Sequence, residues 1–298
     1  MKQPLVSIGM PTNRPHYIER ALKTIVNQTY KNLEIIVSDN STGDITKNIV
    51  MGFKDPRIKY TKQKKNIGMA LNFQYVFNNS TGKYYTWVAD DDKYNSNFVE
   101  RCVNILENEP KIAAASMEVQ YFCGNKLLDF FPEAPIFYTF KSDNVFERLY
   151  NIINHFYYAR NLIYSLFRKE ALSNFKYFSG GTLPFAEGPN ELPIYLFVVE
   201  HGDFRVMPEV GMQKLIEKIT YNQARWKVDG GIMPNKNVNL EFLKQRHDDI
   251  VLQIVNAIDI LNITKEEKKI LKKQTVKNVA EHFKFFKDGK KEKGIGFK

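Results

Sequence analysis

Strand-like and helix-like stretches alternate through the first hundred residues, and three of the strand-like stretches end in conspicuously polar tips. Residues 5–10 read as a strand that stops at Pro11, because Pro11-Thr12-Asn13-Arg14-Pro15 sets two prolines around a polar loop. Over residues 16–28 the apolar positions Ile18, Leu22, Ile25 and Val26 recur at helical spacing. A second strand over 33–37 ends at Asp39-Asn40-Ser41; a helix over 45–51, a short strand at 58–60 and a helix over 66–77 follow. The aromatic and β-branched run 84–89 reads as a buried strand that leads straight into Asp90-Asp91-Asp92. Alternation with crossover-length connections predicts an α/β fold with a mostly parallel sheet flanked by helices. In such sheets ligands bind outside the carboxyl ends of the strands, near the point where strand order reverses. Thr12-Asn13-Arg14, Asp39-Asn40 and the acidic trio all fall at those ends, so they are expected to share one site.

Each tip carries a specific chemistry. Adjacent carboxylates behind a buried strand need a compensating cation. Asp90 and Asp92 are hard oxygen ligands suited to Mg²⁺ or Mn²⁺, which bind through one or two carboxylates plus substrate phosphates. Asp39 can accept the ring N–H of a uracil while the Pro11 loop holds base and ribose, and Arg14 can pair with ribose or phosphate oxygens. Asn66 and Gly68, at a helix start, offer backbone N–H groups to a pyrophosphate. Taken singly, each has a plainer reading: the trio as an acidic turn or a cap for the helix near Asn97, Asp39 as a turn former, Asn66 as a cap, Arg14 as a solvated charge.

Four motifs stand in order: Val-Ser-Ile-Gly-Met-Pro-Thr-Asn-Arg-Pro, Asn-Gln-Thr-Tyr-Lys-Asn-Leu-Glu-Ile-Ile-Val-Ser-Asp-Asn-Ser, Asn-Ile-Gly-Met-Ala-Leu-Asn, and Ala-Asp-Asp-Asp. Their order and spacing resemble the family 2 glycosyltransferases of GT-A (Rossmann-like) fold, strongly over residues 4–110 and weakly to about 215. The resemblance implies an inverting, metal-dependent transferase that moves a sugar from a nucleotide-sugar, expected to be a UDP-sugar, to a hydroxyl of a glycan or lipid-linked glycan. It implies a nucleotide-sugar set of Pro11, Thr12, Asn13, Arg14, Asp39, Asn66, Gly68, Asn72, Asp90 and Asp91, with Mn²⁺ or Mg²⁺ on the donor diphosphate held by Asp90 and Asp92. Whether Asp90 or Asp91 pairs with Asp92 stays open. Family members often carry a second acid where Asn40 stands, and many read Leu-Asp-Ala-Asp-Asp in place of Val-Ala-Asp-Asp-Asp. A sugar-phosphate nucleotidyltransferase would need a Gly- and Lys-rich loop after the first strand, which Pro-Thr-Asn-Arg-Pro is not. A non-catalytic or basic binding module on a transferase-like fold is the other alternative.

Residues 1–110 thus form the expected nucleotide-sugar half, and 111–235 the acceptor and catalytic-base half. In the second half a strand is expected over 112–117, a hairpin around Gly124-Asn125, a helix over 145–156, a strand over 161–167 and a helix from Arg168. Asn190 reads as the N-cap of a further helix, with Pro193 in its first turn. Glu191 then lies at the positive end of the helix dipole, which favours its ionised form. An ionised carboxylate is what an inverting transferase needs as general base, and family members commonly place an acid near this helix start. Glu191 is the first candidate and Glu187 the second; the plainer reading is an acid that only stabilises the helix. His201 reads as a C-terminal cap residue. Lys214, Arg225 and Trp226 lie in a region that in relatives closes over the diphosphate.

Residues 236–298 form a helical, basic extension. The net charge is +10, and beyond Leu261 twelve lysines face five acids. That clustering points to a local surface role and away from nucleic-acid binding, which spreads cations over a face. Thr264-Lys265-Glu266-Glu267 is a capping-box pattern. Ile270, Val276, Val279, Phe283 and Phe286 alternate with lysines, so residues 264–298 suit either an anionic membrane surface or packing on the catalytic domain with lysines outward. Residues 288–298 read as disordered. No apolar run approaches a membrane span, and the N-terminus has no leader layout, so the expected location is cytoplasmic with a peripheral contact at the inner face of a membrane. Cys102 and Cys123 read as small buried hydrophobes.

Overall fold

The computed structural model describes residues 3–123, 126–128, 142–155, 161–175, 191–215 and 240–288. Strands β1 (Val6–Thr12), β2 (Leu33–Asp39), β3 (Ile58–Lys62) and β4 (Tyr84–Trp87) alternate with helices α1 (Pro15–Val26), α2 (Ile45–Gly52) and α3 (Met69–Asn78). There follow β5 (Lys93–Tyr94), α4 (Phe98–Asn108), β6 (Ile112–Cys123), β7 (Lys126–Leu128), α5 (Val145–His155), β8 (Leu166–Arg168), α6 (Leu192–His201), β9 (Asp203–Leu215), α7 (Leu240–Ile260) and α8 (Lys265–Asp288). The strands form one sheet in the order β3-β2-β1-β4-β8-β6-β9-β5, with β7 paired to β6. The β1, β2, β3 and β4 pairings are parallel, whereas β8 is antiparallel to both β4 and β6. The mixed, mostly parallel α/β sheet expected from the alternation is therefore present.

Register brings the polar tips to one level. Thr12 lies opposite Asp39, and Asp39 opposite Lys62, while Gly9 lies opposite Trp87 on the other side of β1. The chain runs outward from β1 to β3 and then returns to β4, so strand order reverses between β1 and β4. Extending that register places Asp90 beside Thr12.

Both faces of the sheet are covered, and β1 and β2 are buried throughout, as parallel strands require. On one face Ile18, Ala21, Leu22 and Ile25 of α1 are buried at helical spacing and share a core with Val99, Cys102, Val103 and Leu106 of α4. On the other, α3, α5 and α6 share a core with Ile250, Ile254 and Ile258 of α7 and with Leu271 and Val279 of α8. Trp87, the last residue of β4, is packed edge-on by Tyr85, Phe167 and Phe175 and stacked by Phe73 and Phe77. Each such ring pair adds on the order of 1 kcal/mol beyond area burial, and together they hold the strand end that launches the trio. Gly9 is needed here as well: a Cβ on it would lie 2.1 Å from the Tyr85 hydroxyl oxygen.

Several boundaries differ from the sequence expectations. β1 runs through Pro11 and Thr12 instead of stopping at Met10, because its neighbour β2 extends to Asp39 and keeps the pairing in register. α3 starts at Met69, not Asn66, since Gly68 sits at φ 82° and breaks the helix there. Residues 161–167 are a short 3₁₀ turn, Leu162–Tyr164, and then β8; a second 3₁₀ turn, Lys169–Leu172, stands where a helix was expected. The β6–β7 hairpin is as expected, with Gly124 and Asn125 outside the described residues. So too is the Thr264 capping box, where the Glu267 N–H donates to Thr264 Oγ1 at 3.2 Å and the Thr264 N–H to Glu267 Oε2 at 2.8 Å. Among the described side chains the apolar residues of α8 do not form one face: Val279 is buried with Leu271 and Thr275, while Ile270 and Val276 are exposed, and the side chains of Phe283 and Phe286 lie outside those described. Cys102 is buried as expected. Among the described residues no helix is long and apolar enough to cross a membrane.

Candidate active site

The site lies at the carboxyl edge where β1 meets β4. Thr12 Oγ1 donates to Asp90 Oδ2 at 2.6 Å across that junction. The Arg14 guanidinium, just beyond β1, bridges Asp90 Oδ1 and Asp91 Oδ2, the latter at 3.0 Å. Both oxygens of Asp90 are thus engaged by the chain itself. Burial raises the Asp90 pKa, and Arg14 and Thr12 only partly offset it. Burial lowers the Arg14 pKa, but Asp90 and Asp91 outweigh it and the net shift is upward. Arg20 Nη2 donates to the Asp91 carbonyl oxygen at 2.5 Å, fixing the backbone of the trio to α1.

Asp92 is different. Its side chain is 1% exposed, and Oδ2 has no hydrogen bond. Lys214, near the end of β9, places its Nζ 3.3 Å from that oxygen, an ion-pair contact without hydrogen-bond alignment. The same amine lies 4.1 Å from the centroid of the Tyr164 ring. Desolvation raises the Asp92 pKa, with Lys214 opposing. Among the described residues no three His, Cys, Asp or Glu side chains converge as a closed metal site. An open site of one or two carboxylates completed by phosphate oxygens is the form Mg²⁺ and Mn²⁺ take, and the orphaned Asp92 oxygen beside Asp91 fits it.

On the β2 side, Asp39 is fully buried. Its Oδ1 accepts from the Ser41 N–H at 2.8 Å, and Oδ2 from the Tyr60 hydroxyl at 2.7 Å and Lys62 Nζ at 3.0 Å. Burial opposes ionisation, but these donors prevail and the Asp39 pKa is lowered. Asn72 is buried on α3; it accepts from Ser38 Oγ at 2.5 Å and donates to the Ser38 carbonyl at 3.1 Å. It therefore ties α3 to β2. Asn40 accepts from the Ile67 N–H at 3.1 Å and donates to Asn66 Oδ1 at 3.2 Å. The Gly68 N–H donates to Asn66 Oδ1 at 2.8 Å, so this donor, expected to face a pyrophosphate, instead closes the loop. Asn13 is exposed beyond the end of β1.

Glu191, not Asn190, is the N-cap residue of α6, whose first helical residue is Leu192. The buried Tyr195, one turn on, donates its hydroxyl to Glu191 Oε2 at 2.7 Å. Burial, together with the charges of Asp92, Glu191 and Asp91, pushes the Tyr164 pKa up to about 12, with Lys214 opposing. Glu187, Asn190, Arg225, Trp226 and the tail from 289 lie outside the described residues. His201 Nδ1 lies 2.9 Å from the Phe197 carbonyl oxygen, in keeping with a place at the helix end.

The sequence reading did not single out Tyr60, Lys62, Tyr164, Tyr195 or Arg20. Lys62 ends β3 in register with Asp39 and was findable by the strand-end rule that found Asp39. Tyr195 stands four residues after Glu191, a helical neighbour. Tyr164 has no local signal, since its partners are remote in sequence.

This geometry meets the comparisons with known proteins. A family model described as Glycosyl transferase family 2 matches residues 7–170, more than half of the chain. The chain belongs to glycosyl transferase family 2. This family 2 chain is 35% identical over 127 residues to an uncharacterized glycosyltransferase of Rickettsia typhi, covering 42% of this chain and 38% of that protein. It is 39% identical over 94 residues to the GalNAc(5)-diNAcBac-PP-undecaprenol beta-1,3-glucosyltransferase of Campylobacter jejuni, covering 30% of each. These matches span well under half the length of those relatives. Among solved structures, residues 1–349 of Staphylococcus aureus TarS in complex with UDP-GlcNAc superpose with a TM-score of 0.62 at 15% identity, covering 95% of this chain and 74% of that one. At that identity the likeness concerns the fold, and the family 2 chain has the GT-A fold.

Proposed function

We propose that this glycosyltransferase moves a sugar from a UDP-sugar to a hydroxyl of a glycan or lipid-linked glycan, with inversion and with Mn²⁺ or Mg²⁺. The observation that carries the reading is the cluster of Asp90, Asp91 and Asp92 with Thr12, Arg14 and Lys214 at the carboxyl edge where strand order reverses, with Glu191 at the start of α6. A single displacement needs a leaving-group stabiliser and a base on opposite sides of one sugar, and these carboxylates are the candidates. Asp91 and Asp92 hold the cation, because both oxygens of Asp90 already serve Thr12 and Arg14. The cation, when bound, neutralises charge on the departing diphosphate. Asp90 positions Arg14 beside that group. Asp39 keeps acceptor capacity, since an ionised carboxylate offers about four lone-pair sites and three donors reach it; the ring N–H of uracil takes the remainder. The Pro11–Asn13 backbone flanks the base and ribose, and Asn66, Gly68 and Asn72 shape the pocket wall. Glu191, steadied by Tyr195, removes the acceptor proton. The purified protein is expected to release UDP from a UDP-sugar in Mn²⁺ and to lose that activity in EDTA. Full activity in EDTA, or release only from other nucleotide-sugars, contradicts the reading.

The outward face of α8 supports a membrane contact within the same reading. Leu271, Thr275 and Val279 are buried, and Gln274 and Asn278 donate to Asn154 Oδ1 of α5 at 2.7 and 2.9 Å. The opposite side carries Lys265, Lys269, Lys273 and Lys277, all exposed and spaced four residues apart, flanked by exposed Ile270 and Val276. Lysines near an anionic bilayer contribute roughly 1 kcal/mol each. Replacing all four by Gln should weaken binding to phosphatidylglycerol vesicles more than about tenfold, at 1.4 kcal/mol per decade, and leave UDP binding unchanged. Vesicle sedimentation checks this, and undiminished binding excludes the contact.

A further inference from the structure

Each acid of the trio has a cation of the chain against it, but the two cations are held differently. Arg14 is committed: it bonds Asp90 and pairs with Asp91, and its guanidinium lies 5.4 Å from the centroid of the Tyr17 ring. Lys214 is not. Its amine stands 3.3 Å from Asp92 Oδ2, yet that oxygen has no hydrogen bond. It is poised over Tyr164, which attracts a cation without consuming a directed N–H. Its side chain is 21% exposed. It approaches from β9, whose Gln213 pairs with Lys93, the residue after the trio. Lys214 and Arg14 thus contact different acids of the trio, and a phosphate group bound at the trio can meet both cations.

Resting on the nucleotide-sugar reading, we propose that Lys214 is an exchangeable counter-ion that reads the terminal phosphate of the nucleoside diphosphate. Without ligand it neutralises Asp92. When a divalent cation takes Asp92, repulsion displaces the Lys214 ammonium, and its three N–H donors turn to the phosphate oxygens. One residue therefore keeps the buried carboxylate compensated in the resting site and discriminates a diphosphate from a monophosphate in the occupied one. Lys214 competes with the cation for Asp92 when no nucleotide is present and assists binding of the diphosphate when it is.

The test is calorimetric titration of UDP and of UMP into the wild-type chain, Lys214→Met and Lys214→Gln, each in EDTA and in Mn²⁺, with Mn²⁺ alone as a further titrant. Met keeps the aliphatic stem over Tyr164 without the charge, and Gln keeps a polar end. In Mn²⁺ the wild type is expected to favour UDP over UMP by about tenfold more than it does in EDTA, the scale of one charge-assisted hydrogen bond. Both variants should lose most of that preference, keep their UMP affinity and bind Mn²⁺ alone more tightly than the wild type. An unchanged UDP-to-UMP ratio with unchanged or weaker Mn²⁺ binding overturns the proposal. Equal loss of UMP and UDP affinity in both variants also overturns it, because Lys214 then only supports the fold. Failure of the wild type to bind either nucleotide overturns the underlying nucleotide-sugar reading instead.

Discussion

Glu191→Gln is expected to lower the rate of sugar transfer by about 10³-fold, within the 10²–10⁴ range that general base catalysis contributes, while leaving donor affinity unchanged. In free energy this is about 4 kcal/mol on the barrier. The substitution is nearly isosteric, and its amide oxygen can still accept the Tyr195 hydroxyl that now reaches Glu191 Oε2 at 2.7 Å. α6 should therefore keep its start, and the deficit should appear in kcat with little change in the donor KM. Glu191→Asp keeps the charge but retracts the carboxylate by one methylene, and it should recover part of the rate. If Glu191→Gln transfers sugar at the wild-type rate, Glu191 is a helix-terminal acid and nothing more.

Asp92→Asn should separate activity from stability. Turnover in Mn²⁺ is expected to fall about 10³-fold, comparable to the loss of one dedicated stabiliser of developing charge, yet the thermal midpoint should stay level or rise. The reason is the burial of Asp92. Its folded pKa is raised above 3.8, with desolvation as the main cause and Lys214 opposing. An acid with a raised folded pKa costs stability at any pH above its unfolded value, and that cost disappears as pH falls through the folded pKa. The wild type should therefore gain stability relative to Asp92→Asn on acidification from neutral pH. Paired melting curves at two pH values and a turnover assay check both parts. A large drop in melting temperature at neutral pH would show that the carboxylate braces the fold.

The clustering of polar tips at one sheet edge was legible because its signals are local. Thr12, Asp39 and the trio each end a strand whose apolar pattern is continuous, and a parallel register converts three strand ends into one edge. Pro11 misled the strand boundary, since pairing with β2 overrode the proline signal. Arg14 was expected on ribose or phosphate oxygens, whereas it bridges Asp90 and Asp91, which the turn after β4 brings to the end of β1. Tyr164, the ring under Lys214, could not be read, because it comes from a 3₁₀ turn that carries no periodic pattern. Lys62 was the avoidable omission, as the strand-end rule applied to β3 as well as to β2.

The most direct measurement of the account is the configuration of the sugar first released. With an α-linked UDP-sugar, water can replace the acceptor, and proton NMR can follow the anomeric signals before mutarotation. A single displacement between the Asp91–Asp92 side and Glu191 predicts that the β-anomer appears first, and that it appears at least about 10²-fold more slowly in Glu191→Gln. Initial release of the α-anomer contradicts the account.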